Sequence, residues 1–446
     1  MFGTEYYRDY FHKLSSYFNR SDWFLAEGRE LIEKRGFRPY DKFIAVERLD
    51  TLHDLSVMGG MDIFVPVVGK NSDAIMFPFD FEVAFPDNNR KIYTDPASHK
   101  HFFMKYAWPS LNYFVNFFNS RNVPGLIDAT PSGGHFLFYA LRGKKGWDDV
   151  KSIGYVHPEH RDAALQVDYS GRDLKRQHPL DLDSCSVWSG MGRLALMIAL
   201  KMKQDCSSSI RDLEIRISDS KDSGNFSADI TPWGDPAWMR IMRVPGSLHR
   251  KNELKHEIFS YGPLVDVIIY HYDTQNLVFP ESDGEVIHSK FWNLEEALHH
   301  NLSFPGFIPF ADGGLSNLVE EYRHTDLPSF FSDFDNTPDL APGEGRHRVL
   351  NDSRLDYRTR DMSLNPYSRM LNPLSLRYHI ADLLSVGWNL KHVACAIDDC
   401  YKDSSYPWVS DWDRDGIKKY LPRVRAEFWA SSIGAELLFE NGLLRL

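Results

Sequence analysis

Cysteine is scarce, with only Cys185, Cys206, Cys395 and Cys400 in a chain of 446 residues. That density excludes a disulfide framework and suits a reducing compartment, so a cytoplasmic or nucleoid-associated setting is expected. Long apolar runs are missing too. The longest near a helix pattern, Leu194 to Leu200, is far below the roughly 20 residues that span a bilayer. The opening MFGTEYYRDYFHKL has no basic stretch followed by an apolar one, so neither a secretory signal nor a membrane partner is expected. No period of about 20 to 50 residues and no low-complexity tract is present, which removes solenoids, propellers and arrays. Positive charge is not in excess. The formal net charge is −11, so the chain as a whole repels phosphate polymers, and any nucleic-acid partner must be held by local patches.

What is present is an ordinary globular composition, 43% apolar and 25% charged, with aromatic residues at 14%. Rings at that level fill cores and leave flat faces for stacking on bases. The length allows two or three domains at about 150 residues each. Residues 326–363, including SDFDNTPDLAPGEG and NDSRLDYRTRDMS, are polar, acidic and rich in turn formers, and read as a linker. Before it, helical patterns at Lys105 to Phe118 and Gly192 to Lys203 alternate with strand patterns at Asp73 to Phe85, Gly134 to Ala140, Asp212 to Ser218 and Leu264 to His271. After it only helix signals remain: Leu376, Ile380, Leu383 and Leu384 on one face, then Leu390 to Tyr401, then Trp412 to Trp429 with a break at Pro422. The expected fold is α+β over 1–325, followed by a small all-helical domain over 364–446.

Three segments carry candidate chemistry. In IMFPFDFEVAF, strand alternation puts Asp80 and Glu82 on one face and Phe79, Phe81 and Val83 on the other. Two acids at this spacing, roughly 7 Å apart at Cα, can converge on a hard divalent cation, or can simply be a solvated strand face. Pro78 argues for an edge or a bulge. In ATPSGGHFLF, the Gly133-Gly134 turn brings backbone N–H groups close to an anion, with Ser132 and His135 as further donors; a plain hairpin entry is the other reading. In SADITPWGDPAWMRIMRVPGSLHRK, Asp229 adds a third carboxylate and Pro245-Gly246 turns the chain after a strand at Met239 to Val244. Beyond the turn Ser247, His249 and Lys251 share one face if extended, with Arg243 just before it. Hydroxyl, imidazole, ammonium and guanidinium on one surface suit a triphosphate, or form a basic solvated hairpin.

The order of these motifs resembles the catalytic core of the archaeo-eukaryotic primase superfamily: an acid pair, a small-residue turn ending in His, then an acid upstream of Arg-x-Pro-x-Ser-x-His-x-Lys. TPSGGHFLF looks most like the primase–polymerase branch, and RVPGSLHRK looks like the same region of archaeal small catalytic subunits. The match runs over Ile75 to Lys251. The second motif has no arginine before His135, which places it nearer to plasmid, phage and mobile-element primases. The resemblance implies an RRM-like mixed sheet and a two-metal Mg²⁺ or Mn²⁺ site at Asp80, Glu82 and Asp229. It also implies a nucleotide cradle of Ser132, Gly133, His135, Arg243, Ser247, His249 and Lys251. The implied activity is template-directed nucleotidyl transfer on single-stranded DNA from NTPs or dNTPs, with template and primer strand as partners. A non-catalytic replication initiator or single-strand-binding module and a metal-dependent nuclease are the alternatives.

A zinc knuckle is not expected. The interval between the second and third motifs holds Cys185 and Cys206 without a CxxC pair, and His392, Cys395 and Cys400 read as helix residues with buried thiols. Basic clusters at Arg142 to Lys145, Arg172 to His178, and Lys418, Lys419, Arg423 and Arg425 lie near Trp147, Tyr169, Tyr420, Phe428 and Trp429, and are candidate strand contacts. The chain has no GxxxxGK[ST], so any helicase is a separate protein.

Overall fold

The computed structural model describes residues 24–28, 44–46, 61–68, 73–84, 90–156, 181–206, 214–217, 225–234, 241–247, 265–271, 281–304, 308–364, 373–402 and 422–446. His249, Lys251, Tyr169, Arg172 to His178, and Lys418 to Tyr420 fall outside them. The fold is mixed α+β.

In chain order the first elements are β1 (Phe24–Gly28), β2 (Ile44–Val46), β3 (Met61–Pro66) and β4 (Ala74–Ala84). Helices α1 (Arg90–Thr94) and α2 (Pro96–Phe102) follow, then a π-turn (Phe103–Ala107) running into α3 (Trp108–Asn119). Next come β5 (Leu126–Thr130), β6 (Gly133–Leu141), α4 (Lys145–Ile153) and the 25-residue α5 (Leu182–Cys206). Strands β7 (Glu214–Arg216) and β8 (Asn225–Asp229) lead through a 3₁₀ turn (Thr231–Gly234) to β9 (Ile241–Arg243) and β10 (Val267–His271). The rest is helical: α6 (Glu281–Phe291), α7 (Leu294–Leu302), α8 (Asp312–Arg323), α9 (Leu327–Asn336), α10 (Glu344–Asn351), α11 (Tyr357–Leu364), α12 (Pro373–Ser385), α13 (Leu390–Lys402) and α14 (Pro422–Glu440).

The main sheet has the order β10-β5-β6-β4-β8-β7, antiparallel except for the β7–β8 pair. Its centre is laid down as β4, then helices, then β5 and β6, then α5, then β8, with β4 and β6 lying between β5 and β8. A smaller antiparallel sheet, β2-β1-β3-β9, brings Arg243 opposite Phe64. Both faces of β4 are buried from Ala74 to Phe79, and the even face opens only at Asp80 and Glu82.

Pro78 sits in this central strand, not at an edge, because its missing N–H falls in a gap. On that flank Met76 N–H donates to Val67 O, and pairing with β8 begins only at Asp80. Proline acts again at position 109. It has no N–H to donate back to Lys105, and the expected helix from Lys105 is instead a wider π-turn that becomes regular at Trp108.

The aromatic excess goes mainly into this body. Phe118 stacks on Phe136 with ring centres 3.6 Å apart and Phe114 lies 4.4 Å from Phe81, which fastens α3 to the sheet ring by ring, while Phe77 lies 4.7 Å from Phe138 between two strands of the sheet itself.

The expected linker over 326–363 is largely helical. Phe331, Phe334, Val349 and Leu355 are buried at the wide spacings of α9, α10 and the turn before α11, and Asp399 accepts from Gly343 N (2.8 Å) and Arg346 N (3.2 Å). The polar and turn-forming residues there serve as short helix ends, which hides a helical face of only a few apolar positions. A second core formed by α9 to α14 joins the first through Phe330, Phe428 and Leu438. Pro422 begins a helix where a break was expected, since proline fits the first turn. All four cysteines are buried. Among the described residues no helix is long and apolar enough to cross a membrane.

Candidate functional site

Cross-strand register builds the site. Asp80 on β4 lies opposite His135 on β6 and opposite Asp229 on β8, and His135 lies opposite Asp128 on β5. Directly paired residues project to the same face about 5 Å apart, so Asp128, His135, Asp80 and Asp229 form one row across four strands. Glu82, two residues along, pairs with Gly133 on one side and Ser227 on the other.

The Pro131–Gly133 turn is pressed onto β4. A Cβ on Gly133 would stand 1.9 Å from Phe81 O, and one on Gly134 would stand 2.5 Å from Asp128 O, so only glycine lets the two strands close there. Val83 N–H donates to Ser132 O at 2.9 Å, and Ser132 Oγ donates to Glu82 Oε1 at 2.9 Å. These bonds join the second motif to the first.

His135 is nearly buried between acids. Its Nδ1 lies 2.6 Å from Asp128 Oδ1, which also accepts from the His135 backbone N–H at 3.3 Å, and its Nε2 lies 3.7 Å from Asp80 Oδ1. Burial alone would favour the neutral ring. The carboxylates of Asp128 and Asp80 and the short bond to Asp128 outweigh it and carry the pKa up to about 10. The acids thus favour the cationic ring, with Nδ1 against Asp128 and Nε2 on the side of Asp80. Asp80 is pushed up to about 7, first by removal from water and then by Asp229, Glu82 and Asp128, with His135 opposing.

Arg243 reaches the same region from the smaller sheet, its Nη1 3.3 Å from Asp266 Oδ2. Asp266 stands just before β10, and its carboxylate, that of Asp128 and the ring of His135 place ligand atoms within 4.8 Å of one another, a buried group that could hold a metal ion once His135 has given up its proton. Ser247 closes a turn in which Pro245 and Gly246 (φ 83°) occupy the central positions and Ser247 N–H donates to Val244 O at 3.0 Å. It has no accessible surface, so it does not line the open end as a cradle residue would.

Asp80, Glu82, Asp229, Ser132, Gly133 and His135 are thus neighbours by strand register, Arg243 adjoins them through Asp266, and Ser247 is set into the wall; among the described residues the ligand atoms that converge are those of Asp128, His135 and Asp266, not those of the expected set Asp80, Glu82 and Asp229. Asp128, Asp266 and Tyr93 were not singled out from the sequence. An acid inside the apolar strand LIDAT, and another beside the run VII, were the available signals. The Tyr93 hydroxyl bonds Ser132 beside Glu82, and burial pushes its pKa up to about 12.

The basic clusters are less available than their sequence suggested. Arg142 pairs with Asp181 at 2.6 Å, Lys145 pairs with Asp149 at 2.5 Å, and Arg423 is buried between Asp339 (2.5 Å) and Glu427 (3.0 Å). Trp147 and Trp429 are core residues.

Chemically, the open end of β4 offers hard carboxylate oxygens beside an imidazole whose cationic form its acids favour and a guanidinium, a set suited to divalent cations and to a phosphate brought with them. No family model, no curated protein and no solved structure matches the chain.

Proposed function

We propose that the protein is a DNA primase–polymerase of the archaeo-eukaryotic primase kind. It would transfer a nucleotidyl group from an NTP or dNTP to a primer's 3′-hydroxyl on a single-stranded template. The observation that carries this reading is the register row: Asp80 and Asp229 flank each other, with His135 directly opposite Asp80 and Glu82 alongside. The strand succession β4, β5, β6, β8, with helices after the first and third and the order β5-β6-β4-β8, is that of the split βαβ unit and supports an RRM-like core.

Asp80, Glu82 and Asp229 fit hard divalent cations by donor type and by the mutual repulsion that adds to burial in lifting Asp80. Mg²⁺ or Mn²⁺ held there would lower the pKa of the 3′-hydroxyl and neutralise the triphosphate. The chain's own groups supply the rest. His135, kept cationic by Asp128, offers Nε2–H to a phosphoryl oxygen, and Arg243, set by Asp266, offers a second cation. The Ser132–Gly133 turn would stand beside the phosphates as they pass Glu82, with Ser132 Oγ holding the Glu82 carboxylate. In the reaction the 3′-oxygen forms a bond to the α-phosphorus as the bond to pyrophosphate breaks, and positioning supplies most of the rate. Template and primer strand would be gripped by residues outside the paired clusters described above, with any helicase supplied by another protein.

The deciding experiment incubates the protein with single-stranded template and labelled NTPs or dNTPs, with and without primer, in Mg²⁺ and in Mn²⁺. Metal-dependent incorporation is expected. Its absence under every condition overturns the reading, and shortened template would indicate a nuclease.

A further inference from the structure

The Pro131–Gly133 turn is held to β4 on one side by Val83 N–H and by Ser132 Oγ on Glu82. Its other side is held by a histidine that no motif contains. His99, on α2, has no accessible surface, and its Nε2 lies 2.9 Å from Pro131 O. Trp292, just past α6, donates its indole N–H to His99 Nδ1 at 3.1 Å.

That second bond fixes the tautomer. An indole nitrogen can only donate, so Nδ1 must accept, the proton must sit on Nε2, and Nε2–H must donate to the Pro131 carbonyl. Burial, with the tilted ring of His288 4.9 Å away, holds the pKa of His99 down to about 4, so near neutral pH the ring stays in this one form. The edge of Phe291 at 5.6 Å and the ring of Phe103 at 6.0 Å leave it little room to turn.

We propose that His99 is the positioning residue of the Pro131–Gly133 turn, relaying the place of the α6 terminus, through Trp292, to the carbonyl that precedes Ser132. It touches no substrate. Its effect is to keep Ser132 on Glu82 and the amides of the turn aimed at the nucleotide. The turn's rigidity stands on the bonds above, and only its consequence for nucleotide use rests on the nucleotidyl-transfer reading.

The test compares His99→Gln, whose side-chain amide can still donate to Pro131 O, with His99→Phe, which keeps the ring and loses the donor. Amide hydrogen exchange over residues 126–141 should quicken about 10-fold in His99→Phe, the worth of one neutral hydrogen bond, and stay within about threefold of wild type in His99→Gln. In nucleotide incorporation, His99→Phe should raise KM for the nucleotide by a similar factor with kcat less affected, and His99→Gln should restore it. If His99→Phe fails to fold, Trp292→Phe replaces it, since losing the indole donor frees the tautomer and should quicken the same amides. Equal exchange in the Phe and Gln variants, or a quickening spread evenly over the sheet, overturns the proposal. An exchange pattern as expected in a protein that incorporates no nucleotide keeps the positioning role and removes only the reaction.

Discussion

Two regions of the molecule gather charge, and they do it in opposite ways. Among the helices, acids and bases are matched. Glu436 and Glu440 meet Lys203 and Arg377, with Lys203 2.7 Å and Arg377 2.5 Å from Glu436, and Asp339 and Glu427 meet Lys391 and Arg423. At the open end of β4, Asp80, Glu82, Asp128, Asp229 and Asp266 gather around His135 and Arg243, the two cations that the described residues bring there. Matched buried charges hold helices in place; gathered acids on a strand end repel one another, which is the arrangement the proposed cations would relieve.

The contrast breaks most sharply at the strand. Asp80→Asn with Glu82→Gln should cut metal-dependent nucleotide incorporation by more than about 100-fold while the thermal midpoint holds or rises, because like charges are removed. Full activity in this variant would end the distinction. The converse change, Glu436→Gln, should lower stability by about 1 to 3 kcal/mol in urea unfolding, since Lys203 and Arg377 lose their buried partner and keep only the more exposed Glu440. Incorporation per folded molecule should be unchanged, and a matching loss of activity would mean that the two regions are one system.

His379 on α12 sharpens the picture as a titratable group of the helical core outside any matched set. It is fully buried, neither ring nitrogen has a partner among the described residues, and burial holds its pKa down to about 4. Unfolding exposes a ring that takes up a proton below about 6.5, so stability should fall as pH drops from about 6.5 to 4. The lost stability is about 3 kcal/mol from this residue. His379→Phe should remove that share of the difference between urea titrations at pH 7 and pH 4, and an unchanged slope would refute it. The smallest effect expected is from Asp128→Asn, which weakens the hold on the His135 imidazolium and should lower kcat/KM for the nucleotide about 10-fold. A change in stability alone would make Asp128 a packing residue.

Much of the site was legible in the sequence because strand alternation and turn chemistry are local. FDFE puts two acids on one face wherever it pairs, and PSGG needs glycine wherever two strands close. Asp229 was legible only as an acid at the right distance along the chain; that it lies opposite Asp80 depends on a register fixed by β8. Asp128, Asp266 and His99 act through partners 7, 23 and 32 residues away, and a single sequence does not encode which of its acids and histidines will meet. The helices at 327–364 were hidden because each buries only a few apolar side chains among capping and charged residues. Pro78 misled for a similar reason. Its tolerance depends on where β8 stops, a property of the neighbouring strand.

The central claim is that the gathered carboxylates on β4 and β8 form a cation site, and titration of Mn²⁺ followed by electron paramagnetic resonance tests it most directly. Wild type and Glu436→Gln should bind the ion saturably, and Asp80→Asn with Glu82→Gln should not. Binding that survives in the double variant, or that is lost in Glu436→Gln with the fold intact, would contradict the account.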